Sequence, residues 1–239
     1  MRVLAEPTVL LTVWEEAAAV PAAARAAVLV HRAGLAPDLD AALDLSIGRC
    51  AALALAAHTA AFGRDVDVVF PCTSCGARLE AELHLPDPAE TDPEALVGAV
   101  HPDRVDDLTV HPLTIRDLLA AATGVDGRAL LFSRCVRRAD GTSAVPADLS
   151  PAQREAVDAA ADRLAGFAAL ALRMTCPSCG DDVRVALDPD ALLWDQVDAA
   201  APALLDEVAT LARAFGWDEA TVLALSPARR GAYLERAAR

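Results

Sequence analysis

The chain has no lysine, and it has no apolar run long enough to cross a membrane. Every side-chain base among its 239 residues is arginine or histidine. The missing lysine follows alanine-rich, GC-biased coding and carries no functional meaning. With 35 Asp and Glu against 21 arginines, the formal charge is −14. That balance argues against a general nucleic-acid binder, because phosphate binding draws its affinity from clustered cations. It disfavours anionic membranes for the same reason, and it suits solubility and a protein partner. The most apolar run, Ala51 to Phe62, is too short to span a bilayer and is interrupted by His58. Glu6 and then Glu15-Glu16 break any signal-peptide core. The expected address is the cytoplasm, where thiols stay reduced.

Catalytic signatures are missing as well. No G-x-S-x-G, P-loop, H-E-x-x-H or Gly-rich dinucleotide fingerprint occurs. His31, His58, His84, His101 and His111 are scattered singly, and the acid pairs Glu15-Glu16, Asp106-Asp107 and Asp181-Asp182 read as solvated surface. The expectation is a protein that is not an enzyme. At 54% apolar residues it is long and hydrophobic enough to bury a real core.

What is present is an internal repeat. Cys72-Thr73-Ser74-Cys75-Gly76 is matched a hundred residues on by Cys176-Pro177-Ser178-Cys179-Gly180. Each follows an apolar run and precedes alternating residues: Leu79, Ala81, Leu83 and Leu85 in the first copy, Val183, Val185 and Leu187 in the second. Two thiolates on a tight turn, with Gly where φ is positive, are how a β-hairpin presents half of a tetrahedral zinc site. Cys72, Cys75, Cys176 and Cys179 are therefore the expected ligands of one structural zinc. A redox dithiol is the alternative for a single C-x-x-C, but its βαβ context is missing. One metal per knuckle would need outside ligands, and only Cys50, Cys135 and the histidines are available. Cys50 and Cys135 read as buried small hydrophobes.

The order of elements predicts an α+β protein, mostly helical, whose two knuckle hairpins form a zinc-ribbon-like centre. Residues 1–65 form an N-terminal helical region, opened at Glu6-Pro7, with a helix capped by Ser46 and ended by Gly63. Residues 66–87 are the first hairpin. Residues 88–168 are an insert, with a turn starting at Asp92-Pro93, a strand at Leu108–His111, a helix from Thr114, a helix from about Gly127 to Arg137, and another capped by Ser150. Residues 169–188 are the second hairpin. Residues 189–239 form a C-terminal helical region, one stripe before Pro202 and another after it.

The C-terminal part carries a resemblance. Cys176-Pro177-Ser178-Cys179-Gly180 is followed by Leu192-Leu193-Trp194-Asp195, Leu211 to Trp217, Val222 to Ser226, Arg229-Arg230 and Tyr233-Leu234-Glu235. This order resembles the baseplate (hub assembly) protein family of T-even-like phages and extracellular contractile injection systems. Ile47-Gly48-Arg49, Ala61-Phe62-Gly63, the first knuckle and Leu131 to Cys135 resemble its upstream half. The family's Gly-Arg-Arg/Gln-Asp stands here as Gly48-Arg49-Cys50-Ala51, and its run of arginines is reduced to Arg229-Arg230. The resemblance implies a non-enzymatic assembly factor or chaperone that binds baseplate or hub proteins and is open to incorporation into the particle. Trp217, Arg229, Arg230, Tyr233 and Leu234 are the candidate partner-binding residues. The alternative is a zinc-ribbon nucleic-acid-binding regulator.

Overall fold

Helix ends fall where the sequence supplies capping groups. The computed structural model describes residues 2–92, 94–98 and 100–238. A 3-10 turn at Arg2–Ala5 leads into α1 (Pro7–Ala18), α2 (Ala22–Arg32), α3 (Leu39–Leu43) and α4 (Ile47–Phe62). Pro7 sits in the first turn of α1, where its missing N–H has no intrahelical partner to lose. The Asp38 carboxylate accepts the Ala41 N–H and the Ser46 hydroxyl accepts the Arg49 N–H, which caps α3 and α4.

After α4 the chain turns at Gly63 into the hairpin β1 (Asp65–Pro71) and β2 (Arg78–His84), paired antiparallel with Val66 opposite Leu83 and Phe70 opposite Leu79. Two short turns follow, α5 (Pro88–Thr91) and α6 (Glu94–Val97). Of the turn expected at Asp92-Pro93, Pro93 lies outside the described residues. The insert contains β3 (Asp103–Val105), β4 (Leu108–Val110), α7 (Ile115–Thr123), α8 (Gly127–Cys135), β5 (Val136–Arg138) and α9 (Pro151–Ala165). Thr114 with Asp117, and Ser150 with Gln153, both close as reciprocal capping boxes.

The insert departs from its sequence pattern in one respect. The single expected strand is the middle of a three-stranded antiparallel sheet, ordered β3-β4-β5. The helix expected to reach Arg137 stops at Cys135, because Val136 to Arg138 pair with Val110 to Leu108. Three residues are too short for a periodic signal, so only the partner strand reveals them.

The second hairpin, β6 (Ala171–Thr175) and β7 (Asp182–Ala186), leads into α10 (Pro189–Phe215), α11 (Glu219–Leu223) and α12 (Pro227–Ala237). The two stripes around Pro202 belong to one helix of 27 residues. A helical proline costs about 3 kcal/mol. Val197, Ala201, Leu204 and Val208 are buried on both sides of it. Each large apolar side chain contributes roughly 1.5–3 kcal/mol, so packing outweighs the lost bond.

The main core gathers Leu10 and Val13 of α1, Leu29 of α2, Leu53 of α4 and Leu193, Val197 and Leu211 of α10, with Val222 and Leu223 of α11 against it. The insert has its own cluster around Leu108, Val110, Val136 and Val157. Backbone bonds tie it to the helical body: the Ile47 N–H donates to Leu113 O (2.9 Å) and the Ile115 N–H to Leu45 O (3.2 Å). A third cluster joins the roots of both hairpins, with Leu55, Val66 and Leu85 meeting Phe167, Leu170 and Leu192. The hairpins are thus set side by side by apolar packing at their bases, at the opposite end of each strand pair from the cysteine turns.

Candidate metal centre

The two knuckles are built alike. In the first, the Gly76 N–H donates to Cys72 O (2.9 Å) and the Cys72 N–H to Ala77 O (2.8 Å). In the second, the Gly180 N–H donates to Cys176 O (2.9 Å) and the Cys176 N–H to Asp181 O (2.8 Å). Gly76 and Gly180 have φ of +73° and +79°. Neither would meet an atom within 4 Å if it carried a Cβ, so backbone conformation and not space requires glycine there.

These turns aim four sulfurs at one point. The four Sγ atoms lie within 4.8 Å of one another. Cys72 Sγ is 3.9 Å from Cys179 Sγ, and Cys75 Sγ is 3.8 Å from Cys176 Sγ. A tetrahedron with metal–sulfur bonds of about 2.3 Å has sulfur–sulfur edges of about 3.8 Å. All four cysteines are free, and a disulfide would need about 2.05 Å. Four soft thiol donors at these separations fit a tetrahedral thiolate site, so the cluster can hold a metal ion. Cys72 and Cys176 are buried, at 2% and 1% exposure, among Leu79, Val183, Phe70 and Met174. Cys75 and Cys179 are exposed, so each knuckle gives one inner and one outer sulfur.

Ligands for one metal per knuckle are not at hand. Among the described residues, no other group of three or more His, Cys, Asp or Glu side chains converges in this way. Cys50 is fully buried in the main core, where burial, with Asp190 and Asp188 nearby, pushes its pKa well up. The Cys135 thiol donates to His111 O at 3.2 Å, and burial raises its pKa. Both are inert packing residues, as expected.

Proton affinity is split across the cluster. The backbone N–H groups of Cys179 and Ser178, with thiol hydrogen bonds from Cys179 and Cys72, pull Cys176 down to about 7. The Asp181 N–H lowers Cys179, but burial and the Cys176, Cys75 and Cys72 sulfurs outweigh it and push that thiol up to about 12. One sulfur thus ionises readily, whereas Cys75 and Cys179 hold their protons more tightly. A cation held by the four sulfurs would favour their thiolate forms.

The candidate partner residues lie together at the far end of α10. The Phe215 and Trp217 rings stack with centroids 4.9 Å apart, and Tyr233 meets Trp217 edge-on at 4.8 Å. Phe215 is 40% exposed. Leu234 is half-buried against the main core. The arginine pair divides, which corrects the expectation for Arg230. Arg229 is exposed, whereas Arg230 is only 8% exposed, bonded through Nε to the Glu207 carboxylate and through a terminal nitrogen to Leu225 O (3.3 Å). Arg230 shares the inward stripe of Tyr233 and Leu234 at helical spacing, and that spacing is the sequence signal for its burial.

One polar feature was not visible in the sequence. A crevice of about 300 Å³ opens between α2, α7 and α10, lined by Arg25, Leu118, Asp188, Asp190 and Trp194. The Arg25 guanidinium lies 4.5 Å over the Trp194 ring. Arg25 Nε and Asp190 Oδ1 are buried without a hydrogen-bond partner. Burial, then the nearby Asp188 carboxylate, push Asp190 up to about 7. In the sequence, Asp188-Pro189-Asp190 reads only as a helix start.

Among the described residues, no helix is long and apolar enough to cross a membrane. The chain matches no protein-family profile, no curated protein and no solved structure.

Proposed function

We propose that Cys72, Cys75, Cys176 and Cys179 hold one structural zinc ion, making the paired hairpins a zinc ribbon. We propose further that the chain is a non-enzymatic assembly factor or hub protein in the baseplate of a phage-tail-like contractile injection system. The observation that carries the metal reading is the pair of cross-knuckle sulfur contacts, 3.9 and 3.8 Å, set on two turns with matching hydrogen bonds. The assembly reading is supported by the C-terminal sequence resemblance and by an acidic chain with no catalytic motif.

A zinc ion bound by four thiolates has no open coordination position, so its contribution is a crosslink. The chain does the rest. Leu55, Val66, Leu85 and Phe167 fix the hairpin roots, and the cysteines tie the tips. A frame held at both ends presents the surrounding helices rigidly to a partner. The Phe215–Trp217–Tyr233 aromatic cluster and exposed Arg229 offer that partner an apolar anchor and a cation. Nucleic acid is disfavoured, since the hairpins turn Asp65, Asp67, Glu80, Glu82 and Asp182 outward.

The test is co-purification of the tagged chain with the tube, sheath and spike proteins of such a system, with particles scored by electron microscopy. Removing residues 203–239 would cut α10 through buried Leu204, Val208 and Leu211, so surface changes are the cleaner probe. Phe215→Ala with Arg229→Glu should abolish capture while leaving the fold intact. Normal particle yield with that folded variant would sink the assembly reading.

A further inference from the structure

The geometry points to a second, covalent form of the same staple. We propose that oxidation joins the two knuckles by disulfides between Cys72 and Cys179 and between Cys75 and Cys176, holding the hairpins together without a metal. This rests on the cysteine cluster of the proposed metal site and is independent of the baseplate role.

A C-x-x-C motif in a redox protein closes on itself. Here sulfurs also meet across the knuckles, at 3.9 Å for Cys72 with Cys179 and 3.8 Å for Cys75 with Cys176. Each pair joins one exposed cysteine to one buried cysteine of the other hairpin. A small oxidant such as hydrogen peroxide therefore reaches Cys75 or Cys179 first. One sulfur of the pair, as its thiolate, attacks one peroxide oxygen, breaking the O–O bond and releasing hydroxide, and becomes a sulfenic acid. The thiolate opposite then attacks that sulfur, forms the S–S bond and expels a second hydroxide. Two protons convert the hydroxides to water. Per pair, two thiolates lose two electrons and one peroxide gains them, so both pairs consume two peroxides. Sulfurs joined in disulfides would no longer serve as thiolate ligands to a metal.

The tips have room to close. Each sulfur pair must approach by about 1.8 Å to reach disulfide length. The hairpins belong to separate two-stranded sheets with no backbone ladder between them, so the tips can shift while the apolar roots stay fixed. The consequence differs from ordinary C-x-x-C oxidation. Closure within a knuckle links residues three apart and leaves the hairpins untied. Cross-knuckle bonds span 107 and 101 residues, as the metal does. The chain is stapled by metal where thiols stay reduced and by disulfides where they do not.

Chelator-stripped full-length protein is treated with hydrogen peroxide, alkylated and digested with trypsin without reduction. Cys72 and Cys75 share the fragment 65–78, and Cys176 and Cys179 share 174–184. The expected result is these two fragments linked to each other. Separate fragments, each with an internal disulfide or sulfinic acids, overturn the proposal. Pairing is read from double variants: Cys75→Ser/Cys176→Ser should still crosslink, while Cys75→Ser/Cys179→Ser should do so about tenfold more slowly. Equal rates overturn the assigned pairing. The wild-type digest stands even if a variant fails to fold. Oxidised metal-free protein should also melt about 10 °C above the reduced metal-free form, and equal melting overturns the staple. Fragments linked as expected in a chain that joins no particle remove only the assembly reading; separate fragments in a chain that does assemble remove only this one.

Discussion

The sulfurs of Cys72 and Cys179 lie 3.9 Å apart although 107 residues separate them. The stability that such a contact contributes when crosslinked grows with the loop it closes. The cluster is thus a long-range tie whose effect should be measurable separately from the helical body.

Purified protein should contain about one zinc per chain by elemental analysis, and Cys72→Ser or Cys176→Ser should lose it. The loop-closure model assigns about 4–5 kcal/mol of stability to such a tie. Because the main core lies in the helices and not in the hairpins, helical circular dichroism at 25 °C should survive metal removal. Two zincs per chain, or unchanged unfolding free energy after chelation, would reject a single shared site.

Asp190 should make stability fall as pH rises. Its folded pKa of about 7 lies above its ordinary value of 3.8, so the folded state binds the proton more tightly. The penalty of ionising it is absent below pH 4, grows between 4 and 7, and is complete above 7. Full expression of that shift is at most about 4 kcal/mol, and partial solvation reduces it. Asp190→Asn should therefore be more stable than wild type at pH 8, with the advantage shrinking towards pH 5. Denaturant unfolding of both proteins across that range checks it. The buried His58, lowered by burial, titrates in both proteins and cancels in the difference.

Arg229 and Arg230 should behave oppositely. Arg230→Ala removes a buried guanidinium and its bonds to Glu207 and to Leu225 O; Glu207 keeps solvent contact, so the cost should be about 1–2 kcal/mol. Arg229→Ala, on the solvent side, should change stability by less than about 0.5 kcal/mol. Equal effects in chemical denaturation would contradict the inward placement of Arg230.

Gly48 should resist substitution. A Cβ there would stand 2.4 Å from the Ala165 carbonyl oxygen, a backbone atom that cannot rotate away. Gly48→Ala should cost about 1–3 kcal/mol through forced separation of α4 from the end of α9. Those two helices lead into the two hairpins, so the same variant should weaken metal retention in a chelator competition. Unchanged stability and unchanged retention would mean that the close approach relaxes freely.

Much of the local structure was legible because it is written in short signals. Ser46 and Ser150 cap helices because a side-chain oxygen next to free backbone N–H groups needs nothing from the rest of the fold. Both hairpins and their glycines follow from period-two alternation beside C-x-x-C-G. Signals of that kind fail where a partner distant in the chain decides. β3 and β5 exist because β4 lies between them, and Pro202 sits inside an unbroken helix because the core holds both of its halves. The crevice at Arg25 and Asp190 is invisible in sequence, since its walls come from three separate helices.

The same division runs through the cysteines. The sequence by itself determined that each C-x-x-C-G forms a turn with two sulfurs on one side, because glycine's positive φ and the backbone bonds around it are local. Only the tertiary structure decided that the two turns meet, which sulfur of each is buried, and which sulfurs face each other across the knuckles. Those facts depend on where α4 and the 3-10 turn at Gly166–Ala169 set the hairpin roots, and that placement is fixed by apolar packing between residues more than a hundred positions apart.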